Sequence, residues 1–427
     1  MDNSNYRPRI VDDLARKKLR TSGAVLIEGA KWCGKTTTAS RLAQSELYLG
    51  DPEELKRTQL LMLSGVEAVL GGAAPRLLDE WQVIPELWDA VRSEVDARGK
   101  FGQFILTGSA VPADSSKIIH SGTGRFSWLR MRPMSLFESG DSNGAVSLGD
   151  LFKGKKIQAE SKLSVNDLAF VTCRGGFPAS LTIKDEADAL IIPENYFLAI
   201  IHSDLERLDG VNRSSEYVAR FLRSYARFQG GQVALTQIQK DMGSLTGAAP
   251  NIGTIASYHE ALKKIFVIED VPAWSPNLRS KTAIRTSDTR YFVDPSIATA
   301  ALGVGPQGLF EDLNTFGFIF ETLCMRDLRV YAEAIGGEVY HYRDSNELEC
   351  DAVVSLRNGD YGLVQFKLGG DDAEIEASAT AMRDLAKNVD GRRTKAPLFM
   401  MVLTGANRYA YQREDGVYIV PIGCLKP

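Results

Sequence analysis

Four apolar residues, Ala24-Val25-Leu26-Ile27, run into Gly29-Ala30-Lys31-Trp32-Cys33-Gly34-Lys35-Thr36, and no other stretch of the chain restricts its fold as much. The octapeptide fits the pattern Gly-x-x-x-x-Gly-Lys-[Ser/Thr], and the residues from Thr36 to Ala43 can continue as a helix. Strand, glycine loop and helix, in that order, are the setting a phosphate loop needs. Its backbone N–H groups turn inward around phosphate oxygens, and the helix N-terminus adds partial positive charge. Gly29 through Thr37 are therefore expected to hold ATP, with Lys35 on the β and γ phosphates and Thr36 in the Mg²⁺ shell. A coincidental glycine turn is the alternative, and it leaves the lysine, the threonine and the preceding strand unexplained.

The remaining composition bounds what such a loop can serve. At 427 residues the chain exceeds one ordinary core. Its 50 basic against 54 acidic residues give a net charge of -4, which announces no global polycation but leaves room for a local basic face. Five scattered cysteines, Cys33, Cys173, Cys324, Cys350 and Cys424, form no metal knuckle and read as reduced thiols. Charges interrupt every apolar run before the ~20 residues of a membrane helix, so no membrane partner is expected. The polar N-terminus lacks a secretory apolar region, and the expected location is cytoplasmic.

Hydrolysis needs a carboxylate near Mg²⁺ and another beside the attacking water. The apolar stretch Leu77-Leu78 ends in Asp79-Glu80, which suits Asp79 to Mg²⁺ and Glu80 to the general base. A solvated acidic turn is the plain alternative. Phe104-Ile105-Leu106 then runs into Thr107-Gly108-Ser109, and converging strand ends of a parallel sheet put these hydroxyls near the γ phosphate. Thr107 or Ser109 either senses phosphate and orients water, or caps its strand. Arg125, with Arg130 and Arg132 nearby, is either an arginine acting on phosphate, in cis or across a subunit boundary, or a surface residue. Trp81 and Trp88 are expected to pack the helix that follows Pro85, without chemistry.

These segments resemble prokaryotic AAA-type ATPases whose C-terminal domain was long classified as of unknown function. The resemblance rests on the phosphate loop, Leu78-Asp79-Glu80-Trp81-Gln82, Leu106-Thr107-Gly108-Ser109, the run from Arg130 to Glu138, and Gly175-Gly176-Phe177-Pro178. It covers most of the chain and implies ATP binding and hydrolysis.

Polar residues near 145–165 suggest a boundary, and Gly175-Gly176-Phe177-Pro178 reads as a tight turn with an aromatic anchor. Helical spacing follows at Pro193–Leu208 and Tyr217–Phe228. A short helix at Ala234–Lys240, a glycine-rich break, a helix at Thr254–Lys264 and strands at Phe266–Ile268 and Arg290–Val293 give the order of a winged helix. Lys263, Lys264, Arg279, Lys281 and Arg285 suit phosphate contacts, so DNA is an expected partner through residues 230–290; protein docking is the other use of such a module. Arg220, Arg223 and Arg227 form either a basic stripe or a solvated face, and His202 and His259 carry no ligand pattern.

Toward the C-terminus a helix carries Glu321, and strands at Leu348–Val354 and Gly362–Lys367 form a hairpin around Arg357–Asp360. Period two puts Glu349 with Asp351, and Gln365 with Lys367. Asp351 suits a metal ion and Lys367 a water near a phosphodiester, with Glu321 assisting. The order resembles the PD-(D/E)XK nuclease fold, as carried by the related ATPases at their C-terminus. Gln365 stands where that pattern has its second acid, which weakens metal attraction. A scaffold that binds DNA, protein or the ATPase region is the alternative to cleavage. Leu398–Thr404 reads as a buried strand, with Tyr409, Tyr411 and Tyr418 finishing the sheet.

The expected architecture is α/β: a P-loop AAA-type ATPase domain over 1–155, a helical and winged-helix domain over 156–300, and a restriction-endonuclease-like PD-(D/E)XK domain over 301–427. The expected function is Mg²⁺-dependent ATP hydrolysis that controls the winged helix and tail. Two other readings stay open, an ATP-regulated metal-dependent DNA nuclease and a nonhydrolysing ATP-bound interaction module. Partners beyond DNA are a second copy of the chain or a protein client.

Overall fold

Alternation within short apolar runs builds the first sheet. In the computed structural model, which describes residues 6–110, 120–205, 208, 211, 213–244, 250–275, 287–344, 348–390 and 395–427, five parallel strands pair in the order β2-β3-β4-β1-β5. These are β1 (Ala24–Glu28), β2 (Ser45–Tyr48), β3 (Arg76–Asp79), β4 (Phe104–Gly108) and β5 (Phe126–Arg130). Ala24, Leu26, Leu78, Phe104, Leu106 and Phe126 enter one core, while Val25, Ile27, Leu77, Ile105 and Leu129 enter the other. Both faces are covered, as a parallel sheet requires, and each large side chain so buried contributes about 1.5–3 kcal/mol. Trp81 and Trp88 belong to the first core, their rings 5.1 Å apart, in keeping with a packing role.

The chain divides into two compact units: Met1–Pro133 with Ala199–Ser214 and His259–Val267, and Met134–Leu198 with Ser215–Tyr258 and Ile268–Pro427. The first division therefore falls near Pro133, where the sequence suggested 155. Its cause is physical. Strands β6 (Val146–Ser147) and β7 (Gln158–Glu160) pair with strands from the C-terminal end, and the Leu136 N–H donates to Asp327 at 2.9 Å.

The second unit is built on a seven-stranded mixed sheet in the order β7-β12-β13-β11-β10-β9-β8. Its strands are β8 (Gly337–Arg343), β9 (Glu349–Leu356), β10 (Tyr361–Lys367), β11 (Phe399–Thr404), β12 (Tyr409–Gln412) and β13 (Tyr418–Pro421), while β14 (Leu425–Lys426) pairs only with β6. The hairpin of β9 and β10 forms where the sequence placed it, in antiparallel register with Gly362 opposite Val354. Helix Leu313–Ala334 carries a buried ionic knot: Arg326 contacts Asp294 at 2.9 Å and Asp327 at 2.8 Å. Asp294 in turn accepts from the Gly176 N–H at 3.0 Å, and a Cβ on Gly176 would stand 2.1 Å from the Met134 carbonyl oxygen. The Gly175-Gly176-Phe177 turn is thus a close backbone approach, with Phe177 fully buried.

Helices Ser215–Arg227, Leu235–Ser244 and Ile252–Lys264 occur where helices were expected, but Phe266-Val267-Ile268 is not a strand. Phe266 has φ of 58°, its N–H donates to the Lys263 carbonyl, and the Val267 N–H donates to Leu262. That is a left-handed helix stop of the Schellman kind, with phenylalanine where glycine is usual. The Arg130 guanidinium lies 4.1 Å over the Phe266 ring and offsets part of that backbone cost. Among the described residues isolated bridges follow, Ile268 with Phe292, Val271 with Thr289 and Ala273 with His341. Arg279, Lys281 and Arg285 lie outside the described residues. Among the described residues no helix is long and apolar enough to cross a membrane.

Candidate functional site

The loop after β1 closes around backbone that tolerates no side chain at its first position. Gly29 has φ of 156°, and a Cβ there would stand 2.0 Å from the Met131 carbonyl oxygen. Gly34 has φ of 102° and leads into helix Lys35–Leu42. Between them Trp32 adopts φ of 62° while 56% exposed, an uncommon conformation for a bulky residue. Buried Cys33 has its carbonyl held by the Arg9 guanidinium at 2.7 Å, which also donates to the Arg132 carbonyl at 2.8 Å. Lys35 is buried and its ammonium rests on the Ala30 carbonyl at 2.8 Å, within its own loop. Lys31 pairs with buried Asp204 at 2.5 Å, on a π-helical turn spanning Ile200–Asp204. Thr37 follows Thr36 on the helix.

The acids fall at the ends of neighbouring strands. Asp79 ends β3, and its Oδ1 accepts from the Thr36 hydroxyl at 2.8 Å and from the Thr107 hydroxyl of β4 at 2.5 Å. Burial pushes the Asp79 carboxyl above its ordinary value; both hydroxyls and Lys35 pull the other way, and Glu80 adds to the rise. Glu80 has φ of 56°, and its Oε2 accepts from the Ser109 hydroxyl at 3.1 Å and from the Gln82 amide. Thr107 and Ser109 therefore each serve a carboxylate. The donor set fits Mg²⁺, because Thr36 and Asp79 bring two hard oxygens together.

Arg125 does not join this group. It precedes β5, whose Phe126 pairs with Ala24 at the start of β1, whereas the loop follows Glu28 at the other end. Five residues of strand, about 15 Å, lie between Arg125 and the loop. Arg125 instead grips Asp96 through two hydrogen bonds of 2.8 and 3.1 Å. Arg130 stands at the loop end of β5, paired with Glu28 at 2.8 Å. Arg9, Lys31 as an ion-pair partner, Asp204 and Gln82 are the residues that sequence reasoning missed. Gln82, two positions beyond the acid pair, was within reach of it; the others depend on tertiary approach.

In the second unit, Glu321, Asp351, Gln365 and Lys367 are all partly buried. Asp351 accepts from the Phe366 N–H at 2.7 Å. Burial pushes its carboxyl up to about 6, against the pull of that N–H and of Lys367, with Glu349 adding to the rise. Glu321 is raised well above the ordinary range by burial and then by Asp351, with Lys367 opposing. The Gln365 Oε1 finds no hydrogen-bond partner among the described residues. Glu321, Asp351 and Lys367 act on one another electrostatically, yet no group of three or more His, Cys, Asp or Glu side chains among the described residues is placed to hold a metal ion. The arginine stripe is engaged within the fold: Arg220 donates to the Met242 carbonyl, Arg223 to Ala301 at 3.3 Å, and Arg227 pairs with Asp241 at 3.2 Å.

Residues 21–139, which span the parallel sheet and its phosphate-type loop, match the AAA domain family. Residues 165–308 and 316–425 match two domains of unknown function, DUF8612 and DUF4143. Two relatives, the uncharacterized proteins Mb2031c of Mycobacterium bovis and Rv2008c of Mycobacterium tuberculosis, are each 21% identical over 412 residues, 95% of this chain and 81% of theirs. A solved structure, the Walker-type ATPase PABY2304 of Pyrococcus abyssi, is similar over 70% of this chain and 97% of that one, at 16% identity and a TM-score of 0.44.

Proposed function

We propose that this chain binds ATP with Mg²⁺ at residues 29–37 and hydrolyses it, and that the nucleotide state sets the arrangement of the helical middle region and the tail. One observation carries the reading: the Thr36 hydroxyl, the Asp79 carboxylate and the Thr107 hydroxyl form a continuous hydrogen-bonded chain, with Glu80 next to it. Those are hard oxygen donors at the ends of parallel strands, beside a loop lysine. Mg²⁺, when bound, supplies charge neutralisation between Thr36, Asp79 and the phosphates. Lys35 leaves the Ala30 carbonyl for the β and γ phosphates. Glu80 takes a proton from water as the water oxygen bonds to the γ phosphorus and the bridging P–O bond breaks, leaving ADP and phosphate. Control of the remaining chain is supported by the Lys31–Asp204 pair, which ties the loop itself to the turn at 200–204.

Phosphate release tests this directly. Glu80→Gln is expected to lower kcat by about 10² or more while ATP still binds, and Lys35→Ala to lose both binding and turnover. A full rate in Glu80→Gln removes the base assignment and leaves a nonhydrolysing interaction module. The raised pair Glu321 and Asp351 beside Lys367 favours one second reading, a metal-dependent nuclease under ATP control. DNA cleavage that needs a divalent ion and disappears in Lys367→Ala is its expected result. The partners proposed are DNA, through residues 230–290 and the tail, a second copy of the chain, or a protein client.

A further inference from the structure

Gln82 is placed in a way that packing does not explain. It follows the acid pair in a short 3-10 turn over Trp81–Val83, and its side-chain amide donates to the Oε2 of Glu80. The other end of the same side chain is a cost. The Gln82 Oε1 is buried and finds no hydrogen-bond partner among the described residues. It packs over Gly108, where a Cβ would stand 2.9 Å from it and 3.2 Å from the Trp81 indole nitrogen. A buried carbonyl oxygen left without a donor destabilises a fold, and an apolar side chain of the same length avoids that penalty. The return on this cost lies at Glu80. There the Ser109 hydroxyl reaches the same Oε2 at 3.1 Å, so two donors converge on one oxygen and leave Oε1 without either of them. The backbone of Glu80 is itself left-handed, with φ of 56°, a conformation that holds only when its surroundings enforce it.

We infer that Gln82 is a positioning residue for hydrolysis, holding Glu80 through Oε2 so that Oε1 is presented to the attacking water. This rests on Glu80 being the general base. A base that is itself oriented by a third group follows the logic of other nucleophile–base arrangements: the third group touches no substrate, but it fixes the rotamer from which proton transfer occurs. Ser109 shares the task from the end of β4, which explains why a hydroxyl there serves Glu80 directly.

The decisive variant is Gln82→Met, which keeps length and removes both the donor and the orphaned oxygen. In the full chain, kcat for phosphate release is expected to fall about tenfold, less than the ~10²–10⁴ that a general base contributes. KM for ATP is expected to stay within about twofold, and the melting temperature to stay level or rise. This split, with turnover lost and stability kept, is one that a merely structural glutamine does not produce. A kcat within about twofold of the parent overturns the inference, and so does a joint fall of kcat, ATP affinity and melting temperature. Single-turnover measurements with radiolabelled ATP in a Glu80→Gln background add a second check, because a residue acting through Glu80 costs nothing more once that carboxylate is gone. An equal loss in both backgrounds also overturns it; where the Glu80→Gln rate is undetectable, the kcat, KM and melting pattern of Gln82→Met alone decides. A full rate in Glu80→Gln itself marks failure of the base assignment, whereas a dead Glu80→Gln beside an unaffected Gln82→Met marks failure of the inference alone.

Discussion

Asp79 with Glu80 and Glu321 with Asp351 are both acid pairs electrostatically linked to a lysine, but the protein treats them differently. In the parallel sheet, hydroxyls of Thr36 and Thr107 meet Asp79, and Ser109 with Gln82 meets Glu80. Such donors favour the ionised form against the push of burial. In the tail, among the described residues, the Phe366 N–H on Asp351 is the hydrogen bond that opposes burial, and Glu321 has the charge of Lys367 against it. The first pair has its carboxylate oxygens held by hydroxyl and amide donors before any ligand arrives. The second retains protons toward neutral pH and gives them up when a cation or a base displaces them.

The sharpest way to break that contrast is Asp79→Asn. If Asp79 is kept buried and ionised for Mg²⁺, the amide lowers phosphate release by about 10² or more and removes the Mg²⁺ dependence of ATP binding. Its raised carboxyl means that ionisation is a net cost to the fold, so the variant is expected to melt no lower than the parent at pH ~7. Loss of activity together with loss of stability would instead make Asp79 a structural link between β3 and β4.

A smaller effect is expected in the tail, read as stability against pH. The folded-state carboxyl of Asp351 titrates at about 6, above its ordinary value. A raised value means that the stabilising contribution is present below about 4 and is lost as pH rises through about 6. Asp351→Asn keeps an oxygen for the Phe366 N–H without the charge. It should therefore exceed the parent by on the order of 2 kcal/mol near pH ~8 and approach it near pH ~4, measured by denaturant unfolding. A constant offset across pH would show that Asp351 is ionised throughout, and the two regions would then be alike.

How much of this could be read in advance follows the range of the interactions. Val25 against Leu26, and Leu77 against Leu78, announce a two-faced sheet through residues adjacent in sequence, and the hairpin of β9 and β10 is equally local. The strand expected at Phe266 failed because a helix stop took Phe266 and Val267, with Arg130, remote in sequence, lying over the Phe266 ring. The division near Pro133 was hidden for a related reason: the pairing of β7 with β12 joins residues as distant in sequence as Glu160 and Tyr409. At the site, the loop, Asp79 and Glu80 were legible because strand and loop chemistry is contiguous. Arg9 on Cys33 and Asp204 on Lys31 were not, since each partner comes from a segment without a motif.

Arg125 gives the smallest expected effect and the one that bears on assembly. Its guanidinium is spent on Asp96 at the edge of the sheet away from the loop, with both side chains about two-fifths exposed. Solvent screens such a pair, and within one subunit the length of β5 lies between it and the loop. Arg125→Ala is therefore expected to leave kcat within about twofold at protein concentrations where the chain is monomeric. The same measurement at rising protein concentration carries the discrimination. If the parent's specific activity climbs with concentration and the variant's does not, Arg125 exchanges Asp96 for a phosphate on a second copy, as an arginine supplied in trans does. If parent and variant rise together or not at all, the Asp96 pair is a surface contact of the ATPase domain, and hydrolysis belongs to residues at the loop end of one sheet.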